Sequence, residues 1–126
     1  MDKFIELAGR VLLGFIFLMA GINKIGAGYA GTAGYMDSMG VPGALLPVVI
    51  FLEIVGGLMV IVGFKVQWAG YALAAFTLVA GVIFHSNFAD QMQSILFMKN
   101  LSIAGGLLLL AVHGSGALSL DKKLGK

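Results

Sequence analysis

The residues of this chain that could do chemistry are polar side chains that lie within or beside long apolar segments. Seven of them make up the candidate site: Arg10, Asn23, Lys24, Glu53, His85, Lys99 and Asn100. The basic, amide and imidazole groups donate hydrogen bonds, whereas the glutamate carboxylate accepts them. This set predicts either a pocket for a ligand with a polar head or a proton-accepting site.

The elements that must position these residues are membrane-spanning helices. The chain has 126 residues, of which 60% are hydrophobic and 11% are charged, against about 25% charged in an ordinary soluble domain. Such a chain has too few polar side chains to cover the surface of a water-soluble fold. Apolar stretches of about 20 residues span the hydrocarbon core of a bilayer. Four such stretches are expected, at about 4–25, 44–64, 68–85 and 100–120.

The predicted fold is therefore all-α: an integral membrane four-helix bundle that forms a single domain over residues 1–126. The Gly-rich connection 26–43 contains six glycines and Pro42, which disfavour a regular helix. The half-polar stretch 86–99, between spans three and four, has apolar residues at helical spacing. It predicts a short amphipathic helix at the membrane surface.

Lysine positions predict the orientation of the bundle in the lipid bilayer. With four spans, both termini lie on one side of the membrane. That side carries five lysines and the other side two, namely Lys3, Lys65, Lys122, Lys123 and Lys126 against Lys24 and Lys99. Because cytoplasmic loops are enriched in lysine and arginine, the N and C termini are predicted to be cytoplasmic.

Arg10 and Glu53 are charged residues expected at membrane depth. Arg10 would lie about 9 Å from the cytoplasmic side and Glu53 about 13 Å from the outer side. Glu6 precedes Arg10 by four residues, a favourable ion-pair spacing on a helix, and Arg10 could instead extend toward Glu53. Two interpretations follow: a structural ion-pair network that joins spans one and two, and a polar pocket or proton-accepting site.

No resident cofactor or metal site is predicted. The chain has no cysteine, which excludes disulfides, iron–sulfur clusters and thiol chemistry. His85 and His113 would lie about 20 Å apart along the membrane normal, too far for one haem iron. His85 with Asp90 supplies only two metal ligands. The net charge of +2 comes from scattered basic residues and indicates no nucleic-acid partner.

Small residues on the spans predict close packing between helices. They recur at Gly56–Gly57, at Gly70 and Ala74, at Thr77 and Gly81, and at Ser102 and Gly106. Small residues four positions apart let helix backbones approach closely in lipid. Packing within one bundle accounts for the pattern, and homo-oligomerisation through the same faces is the alternative.

Several motifs occur in a fixed order along the chain. Arg10 is followed by FLMAGINKI (17–25), LEIVGGLMVIVGF (52–64), His85 and FMKNLSIAGGLLLLAVHGSGALSLD (97–121). This ordered set resembles the DoxX family of small bacterial inner-membrane proteins. The resemblance implies a multi-pass protein of the inner (cytoplasmic) membrane, and it matches the seven candidate residues to the family's recurring polar positions. Some members are associated with quinone-linked sulfur oxidation or with thiol and superoxide defence.

Two functions from different classes follow. The first is a membrane subunit that binds a quinone or other lipophilic small molecule in a redox-linked system. Having no visible redox centre, the chain would need a redox partner protein and would be at most the membrane subunit of an oxidoreductase. The second is a non-enzymatic lipid-binding or scaffold and assembly protein. A transporter ranks last, because four spans would need an oligomer to form a path.

Overall fold

The computed structural model describes residues 2–84, 89–114 and 116–125, which are mostly helical. The helices are α1 (Asp2–Asn23), α2 (Ala27–Ser38), α3 (Leu46–Val62), α4 (Val66–Phe84), α5 (Gln91–His113) and α6 (Leu120–Lys123), with a 3₁₀ turn at Gly43–Leu45 before α3. Helices α1, α4 and α5, and α3 together with its 3₁₀ turn, are long and apolar enough to cross a membrane. No strand occurs in the described ranges. The predicted all-α membrane bundle is confirmed.

Helices α1 and α3 pack with their backbones in direct contact, because glycines face each other between them. A Cβ atom on Gly14 would lie 2.7 Å from the carbonyl oxygen of Gly57, and one on Gly57 would lie 2.9 Å from the carbonyl oxygen of Gly14. Farther along α1, a Cβ on Gly21 would lie 2.6 Å from a side-chain carbon of Ile54. Since helices in lipid associate through close van der Waals packing, these glycines allow the contact that joins α1 to α3.

Helices α4 and α5 form a second closely packed pair, and α4 also contacts α3. A Cβ on Gly70 of α4 would lie 2.9 Å from the carbonyl oxygen of Leu107 of α5. Gly56 of α3 makes room for Leu73 of α4, whose side chain would lie 2.9 Å from an added Cβ. Leu73 and Leu107 are fully buried in the core. Gly56 and Gly70 therefore serve packing within the chain, and homo-oligomerisation stays a prediction.

The Gly-rich connection 26–43 is helical over Ala27–Ser38, so the prediction of an irregular segment was wrong. Gly26 and Gly40, at φ values of 72° and 85°, bound this helix. Glycine is about 1 kcal/mol less favourable than alanine inside a helix. Near the hydrocarbon core, however, there is little water to bond the backbone N–H and C=O groups, and a helix pairs these groups with each other. Met36 adds apolar packing, since it is buried against the bundle.

Helix α5 is continuous over Gln91–His113, so the half-polar stretch is not a separate helix, and the fourth long apolar helix covers Gln91–His113 where 100–120 was predicted. The Asp90 carboxylate caps the helix by accepting a hydrogen bond from the Met92 nitrogen at 2.9 Å. No glycine or proline interrupts its first turns, and a change in side-chain polarity alone does not break backbone hydrogen bonds. As a result, Asn100 lies about two and a half turns inside α5.

Candidate functional site

A cavity of about 450 Å³ lies in the half of the bundle where α1 ends and α3 begins. We call this half the cavity end, and the half with both chain termini the terminal end. Its apolar wall includes Phe17, Phe76, Ile83, Phe84 and Ile103. Its polar lining consists of Lys24, Thr32, Tyr35, Glu53, Thr77, Lys99 and Asn100. A mainly apolar cavity with a few polar groups is typical of small-molecule sites.

An ion pair between Lys24 and Glu53 joins the end of α1 to α3 at the cavity. The Lys24 Nζ lies 2.8 Å from Glu53 Oε1 and donates a hydrogen bond to the Ala20 carbonyl oxygen at 3.2 Å. The lysine side chain is 24% exposed and the glutamate 6%. Because Gly21 has no side chain, α1 comes close to the Glu53 Cβ. The cavity wall therefore holds a nearly buried carboxylate with its own counter-ion.

A second polar group is built where α4 and α5 pack at the cavity. The Asn100 Nδ2 donates a hydrogen bond to the Thr77 carbonyl oxygen at 3.1 Å. Gly81, one turn along α4, leaves room for this amide, since an added Cβ would lie 3.2 Å from the Asn100 Nδ2. Thr77 is buried, and its hydroxyl has no hydrogen-bond partner in the described chain. Lys99 is exposed and lines the same cavity.

Helix α2 forms a wall of the cavity that sequence reasoning missed. Thr32, Tyr35 and Met36 line the cavity from this helix. The Tyr35 ring stacks on the Phe84 ring of α4, with 5.5 Å between their centroids. The spacing of these three α2 residues is helical, and that pattern was the available signal. The glycines of the segment predict a loop, and this prediction conflicts with the helical spacing.

The structure brings Lys24, Glu53, Lys99 and Asn100 together at the cavity. Asn23 is the last residue of α1, is exposed and does not line the cavity. His85 lies outside the described residues. Four of the seven candidates thus share one site by geometry, and whether any of them binds a ligand stays a prediction.

Arg10 lies at the terminal end, far from Glu53. It is 14 residues before Lys24 on the same helix, which corresponds to about 21 Å along the axis. Its guanidinium is buried, and its Nη2 donates a hydrogen bond to the Leu118 carbonyl oxygen. The Arg10 side chain therefore does not extend toward Glu53. Its guanidinium is bonded instead to the Leu118 carbonyl oxygen, at the terminal end of the bundle.

Asp121 ties the C-terminal segment to the turn between α3 and α4. Its Oδ1 accepts a hydrogen bond from the Lys65 nitrogen at 2.6 Å, and its Oδ2 accepts one from the Val66 nitrogen at 3.2 Å. Its own nitrogen donates to the Gly63 carbonyl oxygen at 2.8 Å. The carboxylate thus caps the first turn of α4. Sequence reasoning did not single out Asp121.

The charged side chains that line the cavity are two lysines and one glutamate, namely Lys24, Lys99 and Glu53. Glu53 is engaged by Lys24, and the described residues provide no ion-pair partner for Lys99. Lysine has donors and no acceptor, so the polar lining favours ligand groups that accept hydrogen bonds. Among the described residues, no group of three His, Asp or Glu side chains is placed to hold a metal ion.

Fold and site together define an integral membrane helix bundle with a mainly apolar, partly open cavity. The sequence model of one family, DoxX, matches residues 5–86. The chain belongs to the DoxX family.

Three relatives resemble the chain over most of its length. "Inner membrane protein YqjF" of Escherichia coli is 51% identical over 95% of this chain and 92% of its own length. "Inner membrane protein YphA" of the same bacterium is 35% identical over 93% of this chain and 88% of its own. "Putative oxidoreductase CatD" of Bacillus subtilis is 33% identical over 89% of this chain and 81% of its own. No solved structure matches the chain.

Proposed function

We propose that the protein binds a quinone or a similar lipophilic carbonyl compound in its cavity, as the membrane subunit of a redox-linked system. The observation behind this proposal is the cavity itself, with its apolar walls and with Lys99, which has no ion-pair partner among the described residues and can donate hydrogen bonds to a ligand. A quinone has a flat apolar ring and carbonyl oxygens that accept hydrogen bonds. The ring would therefore contact the apolar wall, and the carbonyl oxygens would accept hydrogen bonds from the polar lining.

The size of the cavity supports a ligand of this kind. At about 450 Å³ it lies within the roughly 300–1,000 Å³ typical of small-molecule sites. Lys99 and Asn100 are adjacent on α5, whereas Lys24 and Glu53 of the ion pair belong to α1 and its following turn and to α3. A ring in the cavity would therefore meet polar side chains from different helices together with aromatic side chains of the wall.

The redox link rests on the relatives and on chemistry. CatD carries the name "Putative oxidoreductase", and a quinone is an electron carrier in membranes. The chain has no cysteine to hold an iron–sulfur cluster. The electrons would therefore come from a partner protein with a redox centre, and this chain would supply the quinone site.

The proposed place of action is the inner membrane, with both termini in the cytoplasm. The two Escherichia coli relatives are named inner membrane proteins. The lysine asymmetry of the chain supports the orientation, because both termini and the Lys65 turn lie at the terminal end of the bundle.

The alternative is a non-enzymatic lipid-binding or scaffold protein. The observation that favours it is the predominance of apolar side chains in the cavity wall, which would also suit an acyl chain. In that case the polar groups would contact a lipid head group, and no redox partner would be required.

Two size variants on α4 test whether the cavity holds the ligand. Ala80 lines the cavity and Ala75 is exposed on the outer face of α4. We expect wild-type protein purified in mild detergent to retain a quinone, detected by native mass spectrometry and by analysis of the extracted lipids. Ala80→Phe should lose it by filling the cavity, and Ala75→Phe should keep it. Phospholipid alone, at equal amounts in all three proteins, would favour the lipid-binding alternative.

A further inference from the structure

Thr77 has a buried hydroxyl group at the cavity with no hydrogen-bond partner. The residue lies on α4, is 4% exposed and lines the cavity. Its Oγ1 makes no hydrogen bond in the described chain. Buried hydroxyl groups are usually paired, and a threonine inside a helix often bonds to a carbonyl oxygen one turn earlier. A buried threonine hydroxyl without a partner is therefore unusual and points to a partner outside the described chain.

The other threonine of the cavity shows the ordinary arrangement. Thr32 lies on α2, and its Oγ1 donates a hydrogen bond to the Gly28 carbonyl oxygen at 2.8 Å. Its hydroxyl is thus already engaged within its own helix. The two threonines have the same chemistry and line the same cavity, and they differ in whether the hydroxyl has a hydrogen-bond partner in the described chain.

The neighbours of Thr77 do not complete its hydrogen bonding. Asn100 is the adjacent polar residue on α5, and its Nδ2 donates to the Thr77 backbone carbonyl rather than to the hydroxyl. Lys99 offers further donors at the cavity, and Glu53, the acidic group there, pairs with Lys24. The hydroxyl therefore lies at a cavity whose charged lining has two basic side chains, Lys24 and Lys99, and one acidic side chain, Glu53.

We infer that Thr77 is a specificity residue: its hydroxyl donates a hydrogen bond to an acceptor oxygen, such as a carbonyl, on the ligand of this cavity. The inference deepens the proposed function and rests on it. It assigns the ligand's polar head to the contact between α4 and α5. A pure hydrocarbon of the same shape would leave the hydroxyl unpaired and would gain nothing from it.

The test uses two probes that share a ring system and differ in their oxygens. Menadione has two carbonyl oxygens on a methylated naphthalene ring, and 2-methylnaphthalene has none. Thr77→Val removes the hydroxyl and keeps the branched shape of the side chain, so packing is preserved. Ser102→Ala, which removes an exposed hydroxyl of α5 outside the cavity, is the control, and Thr77→Ser restores the hydroxyl at position 77. Binding is measured by titration calorimetry at a fixed detergent concentration.

We expect Thr77→Val to weaken menadione binding about three- to tenfold, as for the loss of one neutral hydrogen bond. The affinity for 2-methylnaphthalene should stay the same. Ser102→Ala should change neither affinity, and Thr77→Ser should bind menadione nearly as tightly as the wild type. Equal weakening of both probes by Thr77→Val would mean that the side chain only packs, and the inference would be overturned.

A second measurement separates this inference from the proposed function. Without ligand, Thr77→Val should melt at the same temperature as the wild type or higher, because it removes an unpaired buried polar group. A lower melting temperature would show that the hydroxyl has a partner in the protein, which would overturn the inference alone. If neither probe binds the wild type, and Ala80→Phe and Ala75→Phe retain the same compounds, the proposed function falls and the inference with it.

Discussion

At the scale of single residues, the cavity depends on an asymmetric ion pair. Lys24 has a long side chain near the end of α1 and remains 24% exposed, whereas Glu53 is 6% exposed in the middle of α3. A lysine left alone here can turn its ammonium group toward the membrane surface. A glutamate left alone has no such route, because its side chain is short and surrounded by protein.

Removing either partner should therefore have unequal effects. Lys24→Met leaves a buried carboxylate without a counter-ion and should lower the free energy of unfolding by about 2–4 kcal/mol. Glu53→Gln should lower it by only about 1–2 kcal/mol, since a single hydrogen-bonded charge contact is lost. The double variant should be more stable than Lys24→Met alone. Thermal and denaturant unfolding in one detergent would measure all three.

The exposed Lys122 of α6 offers a control, and Lys122→Met should change stability by less than about 0.5 kcal/mol. If Lys24→Met and Glu53→Gln had equal and additive effects, the two side chains would not be coupled in the membrane protein.

At the scale of elements, α2 is the least expected part of the molecule. It is bounded by glycines with positive φ at positions 26 and 40, and it covers the cavity with Thr32, Tyr35 and Met36. The Asp37 carboxylate holds its C-terminal side by accepting a hydrogen bond from the Gly43 nitrogen at 2.7 Å. The stack of Tyr35 on Phe84 connects α2 with α4.

Breaking this stack should make the cavity more accessible. Since the chain has no cysteine, Ala80→Cys provides a single reactive group inside the cavity. Adding Tyr35→Ala should raise its rate of modification by a maleimide about two- to tenfold, which is the population change that corresponds to one aromatic pair. Tyr71 is also on the surface, at 44% exposed against 47% for Tyr35. Tyr71→Ala should leave the rate unchanged, and an equal increase in both variants would count against α2 as a cover.

At the scale of the whole molecule, stability rests on how closely α1 approaches α3. Gly14 and Gly57 let the two backbones touch, and both are buried. Gly9 lies on the same helix as Gly14, but nothing lies within 4 Å of an added Cβ there. Comparing alanine substitutions at these two positions of α1 therefore separates the effect of interhelical contact on stability from the effect of helix propensity.

We expect Gly14→Ala to destabilise the bundle by about 1–3 kcal/mol, because the new methyl group would meet backbone atoms that cannot move independently. Gly9→Ala should be neutral or stabilising by up to about 1 kcal/mol, since alanine favours the helix. Unfolding curves of the two variants, followed by circular dichroism in detergent, give the comparison. The packing of α1 on α3 would be in error if Gly14→Ala were as stable as Gly9→Ala.

The amino-acid sequence by itself determined the class of the protein and the location of its long helices. Hydrophobic content and the lengths of the apolar segments are local properties, and a bilayer requires the backbone of each span to be helical. For the same reason, Lys24, Glu53 and Asn100 could be recognised from the sequence as polar residues within or beside apolar spans, where such residues are rare. The bounds of α5 differ from the predicted ones. The polarity of the side chains changes along this helix, and that change does not show that the backbone is continuous.

Only the tertiary structure decided which polar residues share a site. Arg10 and Glu53 both lie within spans, yet their partners come from different parts of the chain: the C-terminal segment for Arg10 and the end of α1 for Glu53. The available Thr77 hydroxyl likewise depends on which neighbours pack around it. Local sequence sets the composition and length of each helix, but hydrogen-bond partners are set by rotation and packing between helices, and these depend on contacts between residues far apart in the chain.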